Sequence, residues 1–449
     1  MRWFERRRRA GRRVALIGLD GTPYTYLARL LAEGHLPHLG RLLREGTMVP
    51  MTSVLPTVSC VAWTSIVTGT NPGKHGIYGF VERQPDGYGI YVNTSAHVRR
   101  ETLWDLAGRG GKRAIVVNVP NTYPPRPLHG ILVSGFETPD LVKAAYPPAE
   151  VGRLQRLGYR IDIDAWLARR SREALLEELR QTIDRRTATF LELLGEEWDL
   201  FVGVYMETDR LHHFLWEQME RGHPLYAPAF LDLYRRLDAA IGEIARRLED
   251  DRTVLVVLSD HGFCTLRREV FVNTWLREQG WLELAGPSPT SLEAIGPGTR
   301  AYSLDPGRLY LNLRGREPRG VVEAGEYEAA RAALAAALAG LTDPETHEPV
   351  VTRVYRREEL YRGPYVAQAP DLVVHTRDGY EAKGAVNRPA LFGRDEIEGM
   401  HTTENALLLV RGARVGRSAA HVTDAVPTVL TLLDLPLPPD LDGQPLALP

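Results

Sequence analysis

Three apolar runs in this chain end in carboxylates or histidines: VALIGLD at 14–20, FVGVYMETDRLHH at 201–213 and TVLVVLSDH at 253–261. Short continuous Val/Ile/Leu runs of this kind read as strands buried on both faces, as in a parallel sheet. Each then delivers acidic or imidazole groups at its carboxyl end, the edge at which open α/β sheets bind ligands. One Asp after a strand is ordinary turn chemistry. Three such endings on one presumed edge, two of them with histidines, point to a metal site.

The rest of the chain supplies the matching helices. Helical spacing in YLARLLAEG and PHLGRLLREG, with Gly34 and Gly46 as C-terminal stops, follows the first run. RAIVVNV (113–119) and ILVSGF (131–136) read as further strands, and 172–195 as a long amphipathic helix. Strand 200–205, helix 226–249 and strand 253–258 repeat the rhythm. It predicts an α/β three-layer sandwich with a mainly parallel central sheet. After Phe263 the pattern loosens into a Gly/Pro/Ser-rich loop (282–300), short strands at 301–304 and 308–313, a helix over 324–340 and a strand near 370–375. We therefore read a basic tail (1–13), a core formed by 14–264 and 396–449, and a smaller inserted cap (265–395). The core resumes at His401, with a strand at 405–410 and a helix at 423–434.

Composition narrows the class. Of 449 residues, 44% are hydrophobic and 25% charged, the balance of a soluble globular protein. A net charge of −2 gives no general affinity for nucleic acid. The start, MRWFERRRRAGRR, reads as a solvated tail in preference to a lipid- or RNA-binding arm. The apolar stretch after it is too short for a secretory signal and is broken by Asp20. No run approaches the ~20 apolar residues of a transmembrane helix. Only Cys60 and Cys264 are present, which excludes a disulfide framework and makes a reducing, cytoplasmic setting the expectation. Oligomeric state is not readable.

The candidate ligands are specific. Asp20 is followed by Gly21, which permits close backbone approach. Asp209 and His213, four apart, share one face of a helix. Asp260 and His261 are adjacent and can reach opposite sides of a two-metal centre, and His401 precedes an apolar strand. Mixed carboxylate and imidazole donors suit Zn²⁺, Mn²⁺ or Fe²⁺ better than Ca²⁺ or Mg²⁺. Taken singly, Asp20 is an N-cap, Asp209 and His213 a surface pair, and His401 a loop histidine. Only their conjunction argues for metal. His212 points about 100° away from His213 on that helix and reads as packing. In LPTVSCVAWTSIVTGTNPGKHGIYGF (55–80), helical spacing over 59–68 ends at Gly69. A hydroxyl at that helix start sits where anions are favoured and can serve as a nucleophile toward phosphorus, although Ser59 alone would read as a plain N-cap.

From LIGLDG (16–21) to DAVPTVLTLLDLPLPPDLDG (424–443) the chain resembles the alkaline phosphatase superfamily, and within it the type I phosphodiesterase/nucleotide pyrophosphatase family. TGTNPGKHGI (68–77) is similar to that family's TG-x-x-P-x-x-HGI signature. The resemblance implies that Ser59, rather than Thr57 or Thr64, is the nucleophile. It implies one metal held by Asp209, His213 and His401, and a second held by Asp20, Asp260, His261 and the Ser59 oxygen. It further implies two divalent ions, Zn²⁺ first and Mn²⁺ second, and hydrolysis of a small phosphoester, nucleotides included. The reaction would pass through a covalent Ser59 phosphoryl- or nucleotidyl-enzyme. Where many relatives carry an Asn that holds a phosphoryl oxygen, this chain has Phe80. Lys74 and Asn273 are then candidate replacement donors, and each also reads as a surface or capping residue. Cys60 invites a sulfatase reading, but Thr64 stands where the Cys-modification motif needs Arg. The D-S-E-x-G-H context of phosphoglycerate mutases is also missing. Phosphomonoesterase, phosphonate hydrolase and phosphoryl transferase remain alternatives on the same site. A non-catalytic binding module is disfavoured, because no ligand is lost.

Overall fold

The computed structural model of the protein describes residues 11–164, 169–286 and 289–448. The basic tail thus lies outside the described residues except for its last three positions. Nine strands form the central sheet: β1 (Arg13–Leu19), β2 (Gly46–Thr52), β3 (Ala114–Val119), β4 (Gly130–Ser134), β5 (Ala145–Tyr146), β6 (Leu200–Tyr205), β7 (Thr253–Leu258), β8 (Ala406–Arg411) and β9 (Ala420–His421). Their order is β9-β2-β8-β7-β1-β6-β3-β4-β5. The run β7-β1-β6-β3-β4 is parallel throughout, while β8 and β5 join it antiparallel.

Strand periodicity explains the layers. Ala15, Ile17 and Leu19 of β1 face one apolar cluster, and Val14 and Leu16 face another. Helices Tyr24–Ala32, Pro37–Arg44, Arg172–Leu193, Glu207–Glu220 and Tyr226–Arg247 cover the first side. Helices Ser59–Thr68, Leu103–Arg109 and Ala425–Leu432 cover the second. A sheet buried on both faces needs apolar residues at every position, which is why the three runs show no polar alternation. A third apolar cluster is built between Val270 and Phe392, joined by Tyr88. It packs a four-stranded antiparallel sheet, in which Ala301–Leu304, Arg308–Leu311, Leu372–Thr376 and Val351–Arg356 are neighbours, against helix Tyr327–Ala339.

Gly46 does not end a helix. The preceding helix closes on Glu45 in right-handed conformation, and Gly46 opens β2, which the sequence reading missed. A Cβ there would lie 2.1 Å from the Val410 carbonyl oxygen, so the glycine permits the pairing of β2 with β8. Gly34, at φ +75°, is the stop expected of it.

Candidate active site

Sheet register sets the ligands at one height. β1 lies between β7 and β6, with Gly18 level with Leu258 and Leu19 level with Tyr205. The chain leaves the sheet on the same line three times, at Asp20, ahead of helix Glu207–Glu220, and at Asp260–His261. Asp20, Asp260 and His261 are fully buried. A short antiparallel ladder between Gly262–Thr265 and Gly399–Thr402 pairs Phe263 with His401. It lays the His401 ring on that of His261, with 3.8 Å between centroids.

Two groups of donor atoms result. His261 Nε2 is 3.6 Å from Asp20 Oδ1 and 3.3 Å from Asp260 Oδ2. Asp209 Oδ1 lies 3.2 Å from His401 Nε2 and 3.4 Å from His213 Nε2, and those two nitrogens are 3.1 Å apart. Donor atoms of Asp20, Asp260 and His261 all fall within 4.8 Å of one another, as do those of Asp209, His261 and His401.

The chemistry of this set fits divalent cations. The Nδ1 atoms of His213, His261 and His401 face the carbonyl oxygens of Gly399, Gly262 and Thr57 at 3.0, 3.0 and 3.1 Å. Each Nδ1 therefore carries the hydrogen, and Nε2 turns a bare lone pair inward, as in histidine–metal sites. Lone pairs and carboxylate oxygens facing one another repel unless a cation sits among them. Asp260 Oδ2 is buried with no hydrogen-bond donor. Burial, with Asp260 and Asp209 nearby, drives the Asp20 carboxyl up, and burial with Asp209 does the same to Asp260. Burial pushes His213 down to about 4 and His261 well below the usual imidazole range. His401 goes the other way: burial opposes its charge, but Asp209 and Glu381 raise it. Burial would also raise Asp209, yet His213, His401 and Arg210 hold it below the usual carboxylate range.

Ser59 is the first residue of helix Ser59–Thr68. Its Oγ lies 3.2 Å from Asp20 Oδ1 and 3.3 Å from His261 Nε2. The helix ends at Gly69 in left-handed conformation, where a Cβ would come within 2.9 Å of Val426. One turn on from Ser59, fully buried Trp63 donates Nε1–H to Asp20 Oδ2 at 2.6 Å. Gly18 makes room for that indole: a Cβ there would sit 2.2 Å from Trp63 Cη2. Thr57 and Thr64 are spent elsewhere, the first bonded to Val54 and Thr403, the second to the Cys60 carbonyl. His212 is buried, bonding Gly21 O and the Tyr234 hydroxyl.

Residues 14–403 match the type I phosphodiesterase/nucleotide pyrophosphatase family. The chain belongs to that family. Membership makes it a phosphoester hydrolase, and its fold is that of the alkaline phosphatase superfamily. It is similar to phosphonoacetate hydrolase from Sinorhizobium meliloti, at 19% identity and TM-score 0.65 over 94% of this chain and 96% of that one. Murine ectonucleotide pyrophosphatase/phosphodiesterase 5 is 17% identical, with TM-score 0.59 over 95% and 96%. Alkaline phosphatase PafA is 15% identical, with TM-score 0.61 over 97% and 98%. No curated protein matches by sequence.

Both residues considered from sequence as replacement donors for the family's Asn are engaged with other partners. Both amide hydrogens of Asn273 go to carbonyls, of Ser303 at 2.9 Å and Gly384 at 2.6 Å, leaving no donor for a substrate oxygen. Lys74 Nζ is tied to Asp442 at 2.6 Å and to the Asp440 carbonyl at 2.7 Å, fastening the C-terminal loop. The Phe80 ring meets Phe136 edge-on at 5.5 Å, and the Arg210 guanidinium lies over Phe136 at 5.0 Å. Arg210 in turn donates to Asp209 Oδ2 at 2.9 Å. Neither Arg210 nor Trp63 was singled out from sequence. Trp63 had a usable signal, since it lies four residues after Ser59 on the same helical face.

Proposed function

We propose that the protein is a phosphodiesterase-type hydrolase of small phosphoesters that uses Ser59 as nucleophile beside two divalent ions. One ion would be held by Asp209, His213 and His401, the other by Asp20, Asp260, His261 and the Ser59 oxygen. Zn²⁺ is the ion best matched to these donors and Mn²⁺ the alternative. The observation that carries this reading is the position of Ser59 Oγ, within 3.3 Å of both Asp20 and His261, at a helix N-terminus. When bound, the ions lower the pKa of a coordinated hydroxyl and neutralise charge on phosphoryl oxygens.

The protein's own part is positional. Helix Ser59–Thr68 aims the serine oxygen at phosphorus, and its dipole favours the incoming anion. Ser59 gives its Oγ proton to solvent as Oγ forms a bond to phosphorus and the bond to the leaving alcohol oxygen breaks, and the alcohol departs with a proton from water. A water then attacks the phosphoserine, the Oγ–P bond breaks, and Ser59 recovers its proton. Trp63, bonded to Asp20, and the backbone carbonyls behind the three imidazoles fix the donors in place during both steps.

Hydrolysis of bis(p-nitrophenyl) phosphate beside p-nitrophenyl phosphate, with Zn²⁺- or Mn²⁺-loaded protein, tests the reading. Loss of the Ser59 hydroxyl in Ser59→Ala lowers kcat by roughly three or more orders of magnitude, by analogy with other nucleophile deletions. Asp209→Ala should lose about half of the bound metal. A monoester preference would move the assignment to a phosphomonoesterase, and turnover indifferent to Ser59 would sink it.

A further inference from the structure

Among the described residues, Arg210 is a strong donor beside Asp209 that is only partly spent. It follows Asp209 in the first turn of helix Glu207–Glu220, and its side chain is 19% exposed. Nη1 donates to Asp209 Oδ2 at 2.9 Å, while Nε and Nη2 donate to Asp162 Oδ2 at 3.1 and 2.7 Å. A guanidinium has five N–H groups. Two, one on each Nη, are therefore left without a partner among the described residues. Phe136 under its plane fixes the orientation without consuming a donor, and Phe80 backs Phe136. Through Asp209 the guanidinium reaches the donor group that also holds His213 and His401.

We propose that Arg210 binds the phosphoryl oxygen that faces away from the metal ligands, taking the place of the family Asn lost to Phe80. This inference rests on the phosphoryl-transfer reading above. It adds a preference. Asp162 cancels the Arg210 charge while leaving its two outer N–H groups free. Such a pair offers directional hydrogen bonds with little net positive charge, which suits a singly charged diester better than a doubly charged monoester. The Arg210–Asp162 pair is then the device that sets substrate charge.

The test uses metal-loaded wild type, Arg210→Gln, Arg210→Lys and Asp162→Asn, with inorganic phosphate titrated by calorimetry and bound metal counted by mass spectrometry. Arg210→Gln should weaken phosphate at least tenfold with metal content unchanged, and Arg210→Lys should recover part of the loss. Asp162→Asn should tighten phosphate several-fold and raise kcat/KM for p-nitrophenyl phosphate relative to the diester. A misfolded protein cannot produce that gain. Metal lost in parallel with phosphate in Arg210→Gln would assign Arg210 to holding Asp209 and overturn the proposal. So would unchanged phosphate affinity, or weaker phosphate binding by Asp162→Asn. Phosphate binding needs no turnover, so a failure of Ser59-dependent hydrolysis would count against the reaction and not against Arg210.

Discussion

Trp63→Phe isolates one interaction behind the centre. The substitution removes the Nε1–H donor to Asp20 Oδ2, a 2.6 Å bond in a fully buried setting. Hydrogen bonds to charged groups contribute about 1.5–3 kcal/mol. At about 1.36 kcal/mol per tenfold, losing this one should weaken metal binding at the Asp20 group by roughly 10- to 150-fold. That range overlaps the ~10–100-fold typical of partners that orient a metal ligand. The bond also opposes the burial that raises Asp20. Without it, Asp20 holds its proton to higher pH, and the pH of half-maximal metal binding moves up. Chelator competition with Zn²⁺ at several pH values measures both effects. Lost packing is controlled by Gly18→Ala in the Trp63→Phe background, because the added methyl occupies space vacated by Trp63 Cη2 and Cζ2. That double variant should recover thermal stability without recovering metal affinity. Metal affinity within twofold of wild type in Trp63→Phe would refute the argument that Trp63 orients Asp20.

Metal binding near neutral pH should release protons. The Asp20, Asp260 and His401 pKa values are all raised, and ligation needs the unprotonated forms, so protons compete with metal at these groups. Calorimetry in buffers of differing ionisation enthalpy should show net release and affinity rising with pH; uptake would contradict the assignment. Gly21→Ala should lower both Tm and metal affinity. Its φ of +65° costs an L-residue about 1–2 kcal/mol, and the new Cβ would meet Phe263 at 2.7 Å and His261 at 3.1 Å. An unchanged melt would show that the turn relaxes freely.

The ligand edge was legible because unbroken apolar runs have few structural solutions, and register between parallel neighbours follows from burial on both faces. The pairing of β1 with β6 and β7 then aligned Asp20 with Asp260 without further information. Much of the cap was less legible for the same physical reason. Val351–Arg356 reads VTRVYR, and its side chains past Val351 are exposed or half-buried, so no apolar pattern marks it. β2 was hidden by a glycine that suits a helix stop as well as close approach to Val410. Arg210 escaped because spacing tells which residues share a helix face, but not that Asp162, 48 positions earlier, reaches it.

The stretch around Ser59 and residues 265–395, the proposed cap, are one mechanical unit, and Arg308 is where this can be measured. From the cap, the Tyr361 hydroxyl donates to the Leu55 carbonyl at 3.0 Å and the Tyr365 carbonyl accepts from Tyr78 at 2.7 Å. Arg308, fully buried, donates to Glu82 at 2.9 Å and to the Val81 carbonyl at 2.8 Å, and fills the space above Gly79. Glu82 in turn accepts from the Tyr78 amide at 2.9 Å. These bonds tie the cap to the stretch that begins ahead of Ser59 and ends past Phe80. Arg308→Met would strand a buried carboxylate, a defect worth about 3–5 kcal/mol when one partner of a buried pair is removed. Adding Glu82→Gln removes the stranded charge and should return most of that stability. If the cap only covers the sheet edge, the stabilised double variant will hydrolyse diesters like wild type. If it holds the stretch from Leu55 to Glu82 in place, the double variant will keep its metal and its fold while losing kcat/KM. A urea melt and diester kinetics on the same preparation separate the two, and wild-type kinetics would show that the cap and Ser59 are independent.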